Sequence, residues 1–404
     1  MNSSLLNNQK MYLFIFGVIF LPYLKLMNYV GYYINSLLIP FSVGIILLII
    51  SIFGSFKLRK DFIFFGLAVF FLGVLSLLVD GALGRLTLFK LFNGLYSSTL
   101  PLIYAVIFSF GISKFGIVFV HKSIFIVLIL NISFLVFQYF LYNVFGLYID
   151  MNSWFNGVPT TAFNTAYIHD FGVRYSGFFL EPSIQAAHIA AFLFLYYLYG
   201  GSSLLIYFFS VITILITKST ISYFLVIPAV FLFIGILHQR YRILSLVVIP
   251  SAVVVFLIYI YEPLVLRYER FIEGADASTS LRLNLLYKFF SDTNKLIYGF
   301  GDVHKKNLEW NDPLNSLGDH TFFLNQFVVH GLIIGMFFLM TYLYFMRNVF
   351  LNLFSAFFLL VVFLKFGIPS YPSSAIFFVI IICYKTCNKL NSSVGLFSSN
   401  YKGS

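Results

Sequence analysis

The stretch Arg174-Tyr-Ser-Gly-Phe-Phe-Leu-Glu-Pro-Ser183 sets an arginine and a glutamate seven residues apart in a chain of 404 residues that is 10% charged and 60% hydrophobic. A guanidinium is a planar fork of donors matched to phosphate oxygens. The alternatives for Arg174 are a snorkelling side chain or one paired with Glu181. Glu181 precedes Pro182 at the expected start of a helix, where the dipole favours a carboxylate without any functional cause. A second arginine, Arg282, lies in Ser278-Thr-Ser-Leu-Arg-Leu-Asn-Leu-Leu-Tyr-Lys-Phe-Phe290. Capping by Ser278 or Ser280 predicts an amphipathic helix along the membrane interface with Arg282 on its first turn. Two arginines in separate polar segments can converge on one pyrophosphate, or each can be a solvated interfacial charge. His320 follows Asp319 at the start of an apolar run. A neutral imidazole oriented by that carboxylate can take a proton from a sugar hydroxyl, whereas an Asp–His pair satisfied by backbone at a helix start would be structural. In the same run Gly331 and Gly335 predict a close helix crossing, and His330 is expected to pack.

The elements that must carry these residues follow from composition. A mean hydropathy of +0.95 and 21% aromatic residues, with repeated apolar runs, match a bilayer core about 30 Å thick. The runs fall at about 11–24, 36–53, 62–79, 96–112, 117–140, 184–199, 203–217, 221–237, 243–261, 321–345, 349–365 and 373–384. This predicts an all-α integral membrane protein, one polytopic domain over 1–404 with about twelve transmembrane helices. Runs 203–217 and 373–384 are short enough for half-helices, and eleven spans is the alternative. The first run, preceded by Lys10 and followed by no small-residue cleavage site, reads as a retained span. With both termini inside, Lys57, Arg59, Lys60, Lys114, Lys122, Arg240, Arg242, Arg347, Lys385 and Lys389 fall on the inner side, against Lys25, Arg85, Lys90, Lys218 and Lys365 outside. Of fourteen acidic residues only Asp61 then lies inside, so the polar chemistry belongs to the outer face.

That chemistry is concentrated in two long outer loops, 141–183 and 262–320, expected to carry short helices. Each holds one of the two tryptophans, Trp154 and Trp310, which read as interfacial anchors or as stacking platforms for a sugar face. Arg267, Arg270, Lys288, Lys295, Lys305 and Lys306 read as a solvated face or a diffuse attraction for anionic head groups. The net charge of +11 does not argue for nucleic acid in so apolar a chain. Cys383 and Cys387 are too few for a metal site, and no convincing cluster of metal ligands occurs in the outer loops.

In order and spacing, three of these stretches resemble the Wzy-type O-antigen polymerase and O-antigen ligase superfamily. They are Arg174 to Pro182; the Ser280–Arg282 helix followed by Ile297-Tyr-Gly-Phe-Gly301; and the run from Asp319 and His320 to Gly331 and Gly335. The resemblance spans about 160 residues, from Arg174 to Gly335. It implies a bacterial inner-membrane, metal- and cofactor-independent inverting glycosyltransferase. Its substrates would be undecaprenyl-pyrophosphate-linked oligosaccharides at the periplasmic face, and its partners membrane lipid, a chain-length regulator and a flippase. Arg174 and Arg282 would hold the pyrophosphate and His320 would activate the acceptor hydroxyl. Apart from the resemblance, Glu181, Trp154 and Trp310 are further candidates for substrate contacts. Where the family often has Ser-Arg after a short span, this chain reads Thr217-Lys-Ser-Thr220, making Lys218 the offset substitute. Three rivals remain. The ligase differs only in acceptor. A transporter would require internal repeats and midplane charges, neither of which is evident. A metal-dependent transferase would rest on Asp80 alone.

Overall fold

The structure is a computed structural model that describes residues 2–20, 57–151, 172–241, 277–301, 312–317, 320–366 and 372–394, with a few isolated positions between them. The run at 36–53 and all of the run at 243–261 but Tyr261 lie outside the described residues, as do Trp154, Trp310 and Asp319. The described residues form helices and no strands. Helix α1 covers Asn2–Phe14 and continues as a π-helical segment, Ile15–Phe20. There follow α2 (Lys60–Ala82), α3 (Leu88–Phe115), α4 (Val118–Phe145), α5 (Pro182–Leu198), α6 (Leu204–Ile216) and α7 (Thr220–Arg240). The shorter α8 (Ala277–Ser291) and α9 (Thr293–Tyr298) precede α10 (Phe322–Phe350), α11 (Leu353–Val362) and α12 (Pro372–Val394).

Five of these, α2, α3, α4, α7 and α10, are long and apolar enough to cross a membrane. Helices α5, α6 and α11 and the apolar part of α12 are shorter. At 1.5 Å per residue, the ten residues of α11 reach only about 15 Å, short of the roughly 25 Å that a helix over the whole apolar run at 349–365 would reach.

Lipid-facing and protein-facing stripes separate cleanly on α2. Phe64, Phe71, Leu75 and Leu78 are exposed, while Phe62, Phe65, Val69, Gly73 and Leu77 are buried. An exposed apolar stripe at helical spacing suits acyl chains. The buried stripe meets α3 closely, because Gly66 and Gly73 lie against Leu102 and Ser98, where a side chain would not fit. Helix α5 is the axis of the bundle. Ala186, Ala187, Ile189, Ala190, Ala191, Phe192, Leu193, Phe194 and Leu195 are all buried, and its neighbours are α4, α6, α7, α11 and α12. Small alanines admit those neighbours on every side.

Helix α10 is not continuous. Gly331 has φ 77° and ψ 172°, a region essentially reserved for glycine. The halves Phe322–His330 and Leu332–Phe350 fold toward each other, bringing Gly335 against Gln326 and Phe327. The close approach expected at Gly331 and Gly335 is thus with the helix's own preceding half and with residues 297–298, not a crossing of two separate spans. Breaking the helix frees carbonyls, which need donors. Phe300 and Gly301 supply them, donating to the Val328 and Val329 carbonyls at 2.9 Å each. A second apolar cluster of Leu285, Phe289, Phe300, Leu317 and Val328 fastens α8 to this half-helix.

Gly331→Ala should therefore lower thermal stability in detergent by more than about 1–3 kcal/mol, the usual range for such a backbone strain, because its Cβ would also overlap the Ile297 carbonyl. Gly84→Ala, with a positive φ but open space around it, should lose less. Equal melting-temperature losses would contradict this account of the break.

Candidate functional site

One end of the bundle gathers the polar chemistry around the N-terminus of α5. Glu181 is the residue before that helix, with Pro182 at its first position. Its backbone carbonyl accepts from Ile184 and Gln185, but its side chain makes no capping bond. The carboxylate turns instead to Lys365, whose Nζ lies 3.2 Å from Oε2, and Ser183 Oγ donates to the same oxygen at 3.0 Å. Burial pushes the Glu181 carboxyl up, yet the Lys365 ammonium, the Ser183 hydroxyl and the Arg282 guanidinium outweigh it and hold it below the ordinary carboxylate value. Helix dipole alone would have explained a carboxylate here; the geometry adds the Lys365 ammonium as its ion-pair partner.

Arg282 is half-buried on α8. The helix is already formed at Ala277, so Ser280 lies inside it, not at its cap, and Arg282 falls on the second turn. Leu285 and Phe289, one and two turns further on, fix the face that α8 turns to the protein. Asp80 and Arg85 secure the chain beyond that helix. Arg85 Nη2 is 2.8 Å from Asp80 Oδ1, and the same guanidinium donates to the carbonyls of Gly299 at 2.7 Å and Tyr298 at 3.3 Å. Asp80, considered from sequence as a metal ligand, thus serves as the counter-ion of an arginine that caps α9.

The segment carrying Arg174 is pinned by buried amides. Gln138 Oε1 accepts from the Gly177 amide at 3.0 Å while its Nε2 donates to the Ile149 carbonyl at 2.7 Å. Gln185 Oε1 accepts from the Phe178 amide at 3.3 Å, and its Nε2 donates to Asn131 at 3.1 Å. Phe178 stacks on Phe134 with ring centres 4.2 Å apart. Arg174 itself is 9% accessible. Lys218, in the turn between α6 and α7 with a left-handed φ of 47°, brings its Nζ beside Gly172, two residues before Arg174. Burial lowers its pKa from the ordinary lysine value.

His320 is buried immediately before α10, whose N-cap is Thr321. The Phe322 amide donates to the Phe363 carbonyl at 2.8 Å, so the His320 segment runs beside the α11–α12 connection that carries Lys365. Two turns below the mouth, His188 bridges α5 and α12. Its Nδ1 donates to the Ile184 carbonyl at 2.7 Å, its Nε2 accepts from Ser373 Oγ at 2.6 Å, and Phe179 stacks on it at 4.1 Å. His330 packs as expected, on Phe338 and against Ser76 at 2.8 Å.

Sequence reasoning did not single out Lys365, His188, Gln138, Gln185 or Asn131. The available signal was their polarity within apolar runs, which inside a membrane marks either a structural network or a site. Arg282 Nε, Asn325 Oδ1, Gln326 Oε1 and Ser374 Oγ are buried and lack a hydrogen-bond partner among the described residues. Each such group costs about 1–3 kcal/mol, and these four fall in the first two turns of α8, α10 and α12. No family model matches the chain, and no curated protein or solved structure matches it significantly.

The depressed Glu181 carboxyl makes a pH prediction. Stability from the pair is fully present above the unfolded value near 4.5 and is lost as pH falls through the lower folded value. The melting-temperature advantage of wild type over Glu181→Gln should hold from pH 7 to about pH 5 and vanish in stronger acid. The Glu181 side chain is 31% accessible, so added salt should shrink that advantage. An advantage that grew on acidification would contradict the pairing.

Proposed function

We propose that the chain is a polysaccharide polymerase, a membrane-embedded enzyme that moves a glycan from undecaprenyl pyrophosphate onto another lipid-linked repeat unit at the periplasmic face. The observation that supports this reading is a carboxylate at the N-terminus of a buried helix in an apolar bundle, Glu181, paired with Lys365 and drawn down electrostatically by Arg282. Such an end suits an anionic leaving group and a neutral sugar acceptor. The resemblance of the Arg174, Arg282 and His320 stretches to O-antigen polymerases and ligases supplies the substrate class.

Chemically, the bond from the anomeric carbon to the pyrophosphate oxygen breaks as the acceptor oxygen forms its bond from the opposite face, inverting the centre. The electron pair leaves with the polyprenyl pyrophosphate, whose growing charge Arg174 and Arg282 meet. The acceptor proton passes to neutral His320. Donors already aimed at the leaving oxygen lower the barrier because they need no reorganisation. Trp154 and Trp310 are proposed to stack on sugar faces, and Lys218 to add positive charge beside the Arg174 segment.

Lipopolysaccharide banding of a strain lacking the gene tests the reading directly. Single-repeat bands are expected; loss of every repeat from the lipid core would reassign the chain as a ligase, and an unchanged ladder would contradict both. In the complemented strain, His320→Ala should give mostly single-repeat product at normal protein level, since general-base catalysis is worth about 10²–10⁴ in rate. A full ladder from that variant would reduce His320 to a structural residue.

Lysine should replace either arginine poorly, because an ammonium is a point charge where a guanidinium offers two parallel bonds. Arg174→Lys and Arg282→Lys should each slow elongation about 30- to 1,000-fold, or roughly 2–4 kcal/mol. The double variant should lose less than the sum of the two single losses. Near wild-type turnover in a single variant would remove that arginine from the site, and strict additivity would mean that the two serve different targets.

A further inference from the structure

Helix α10 and its neighbours define levels through the bundle. The 29 residues of α10 divide at Gly331 into Phe322–His330 and Leu332–Phe350. At 1.5 Å per residue these halves reach about 13 Å and about 28 Å, so only the second is long enough for a bilayer core of about 30 Å. They run back along each other. Phe322 meets Tyr342 with ring centres 4.9 Å apart, and His330 stacks on Phe338 at 4.6 Å; a continuous helix would hold Phe322 and Tyr342 about 30 Å apart. At the apex Gly299 lies against Gly331, and Gly301 lies against Asp80 near the end of α2. One turn lower on α2, Ser76 meets His330 at 2.8 Å, and deeper still Phe65 meets Tyr342 at 5.6 Å.

Helix α11 supplies an independent measure. It begins at Leu353, just past the far end of α10, and rises ten residues, or about 15 Å, to Phe363, whose carbonyl accepts the Phe322 amide. The half-helix descending from the apex and α11 rising from the far end together match the length of Leu332–Phe350. The Phe322–Phe363 junction therefore falls near the middle of that span. Polar groups stand beside it. Asn325 Oδ1 and Gln326 Oε1, on the first two turns of the half-helix, are buried without a hydrogen-bond partner among the described residues. A dry apolar interior penalises such groups and bridging water relieves them. Lys365 stands two residues past Phe363, and the Glu181 side chain that it meets is 31% accessible. An ion pair so near the junction needs water, not acyl chains, on its open side.

We propose that the chain reaches α10 by dipping into the membrane from the side on which α2 ends, along a water-filled recess whose floor is the Phe322–Phe363 junction, about halfway through the bilayer. Phe322–His330 is then a re-entrant half-helix, and α11 is a second half-helix that meets it from the opposite side. Irregular backbone at such depth is tolerated where protein or a water-filled cavity covers it. The packed rings of Phe322, Phe363 and Phe378 close the recess below, while above them it admits water-borne polar groups to His320. The recess does not depend on the reaction; under the polymerase reading it means that the acceptor sugar is carried below the membrane surface to reach that histidine.

Cysteine accessibility in proteoliposomes tests the recess, using the full chain with Cys383→Ala and Cys387→Ala as background. Single cysteines are placed at Thr321 on the floor, at Phe71, exposed on α2 between the levels of Ser76 and Phe65, and at Leu88 and Leu351, exposed at opposite ends of the bundle. The probe is a membrane-impermeant cationic thiol reagent added to one side at a time. Thr321→Cys should react only from the Leu88 side, and at least about 10-fold faster than Phe71→Cys, which acyl chains cover. A nitroxide on Phe71→Cys should be relaxed by oxygen and not by a polar nickel chelate, placing that level inside the bilayer; the chelate should reach a nitroxide on Thr321→Cys. Should Thr321→Cys fail to accumulate for want of its helix cap, Phe323→Cys takes its place. A floor cysteine that reacts from neither side, from the Leu351 side, or no faster than Phe71→Cys would overturn the inference. A Phe71 label reached by the chelate would overturn it equally, since the floor would then lie at the membrane surface. The expected labelling with no elongation of lipid-linked repeat units would leave the recess standing and remove the polymerase reading instead.

Discussion

Keeping positive charge inside an apolar bundle is the constraint on which the rest of the structure depends. An unpaired ammonium or guanidinium taken out of water costs several kcal/mol, and the Lys365 side chain is only 7% accessible. The chain meets this by placing at the start of α5 a carboxylate that pairs with Lys365 and is drawn down electrostatically by Arg282. Because Glu181 leaves its own helix uncapped to do so, local helix stability has been exchanged for a charge arrangement at the mouth. Everything else near that end can be read as holding the three charges in register.

Two kinds of support do the holding. On the Arg174 side, buried amides replace the regular backbone partners that a chain entering the bundle lacks; Gln138 and Gln185 each take one backbone N–H of the 177–178 turn. On the Arg282 side, the break at Gly331 exposes carbonyls that residues 300 and 301 satisfy, and the Asp80–Arg85 pair takes the carbonyls of residues 298 and 299. The chain that follows the Arg282 helix is therefore tied to α10 by backbone hydrogen bonds and to Asp80 of α2 through the Arg85 side chain.

Much of the scaffold was legible because membrane helices announce themselves by composition. Helices occupy the apolar runs expected at 62–79, 96–112, 117–140, 184–199 and 221–237. The short α6 was foreshadowed by the short run at 203–217, but the count of spans was not legible in the same way, since α11 is shorter than its run and α10 is broken. A glycine pair at spacing four cannot tell a crossing of two spans from a fold-back within one. Arg174, Arg282, Glu181 and His320 stood out as charged or titratable groups in apolar surroundings. Lys365 did not, because an isolated lysine at the end of a span has the ordinary explanation of snorkelling. Its partnership with Glu181 joins residues 184 positions apart, a long-range pairing that no local pattern encodes.

The central claim is that this charged mouth accepts a pyrophosphate-linked glycan and releases the pyrophosphate lipid. Purified chain in proteoliposomes, supplied with a single defined lipid-linked repeat unit, measures it most directly. The account predicts a ladder of lengthening products with one polyprenyl pyrophosphate freed for every glycosidic bond formed. Passage of the intact lipid-linked unit across the bilayer, with no new bond and no free polyprenyl pyrophosphate, would contradict it and make the chain a transporter.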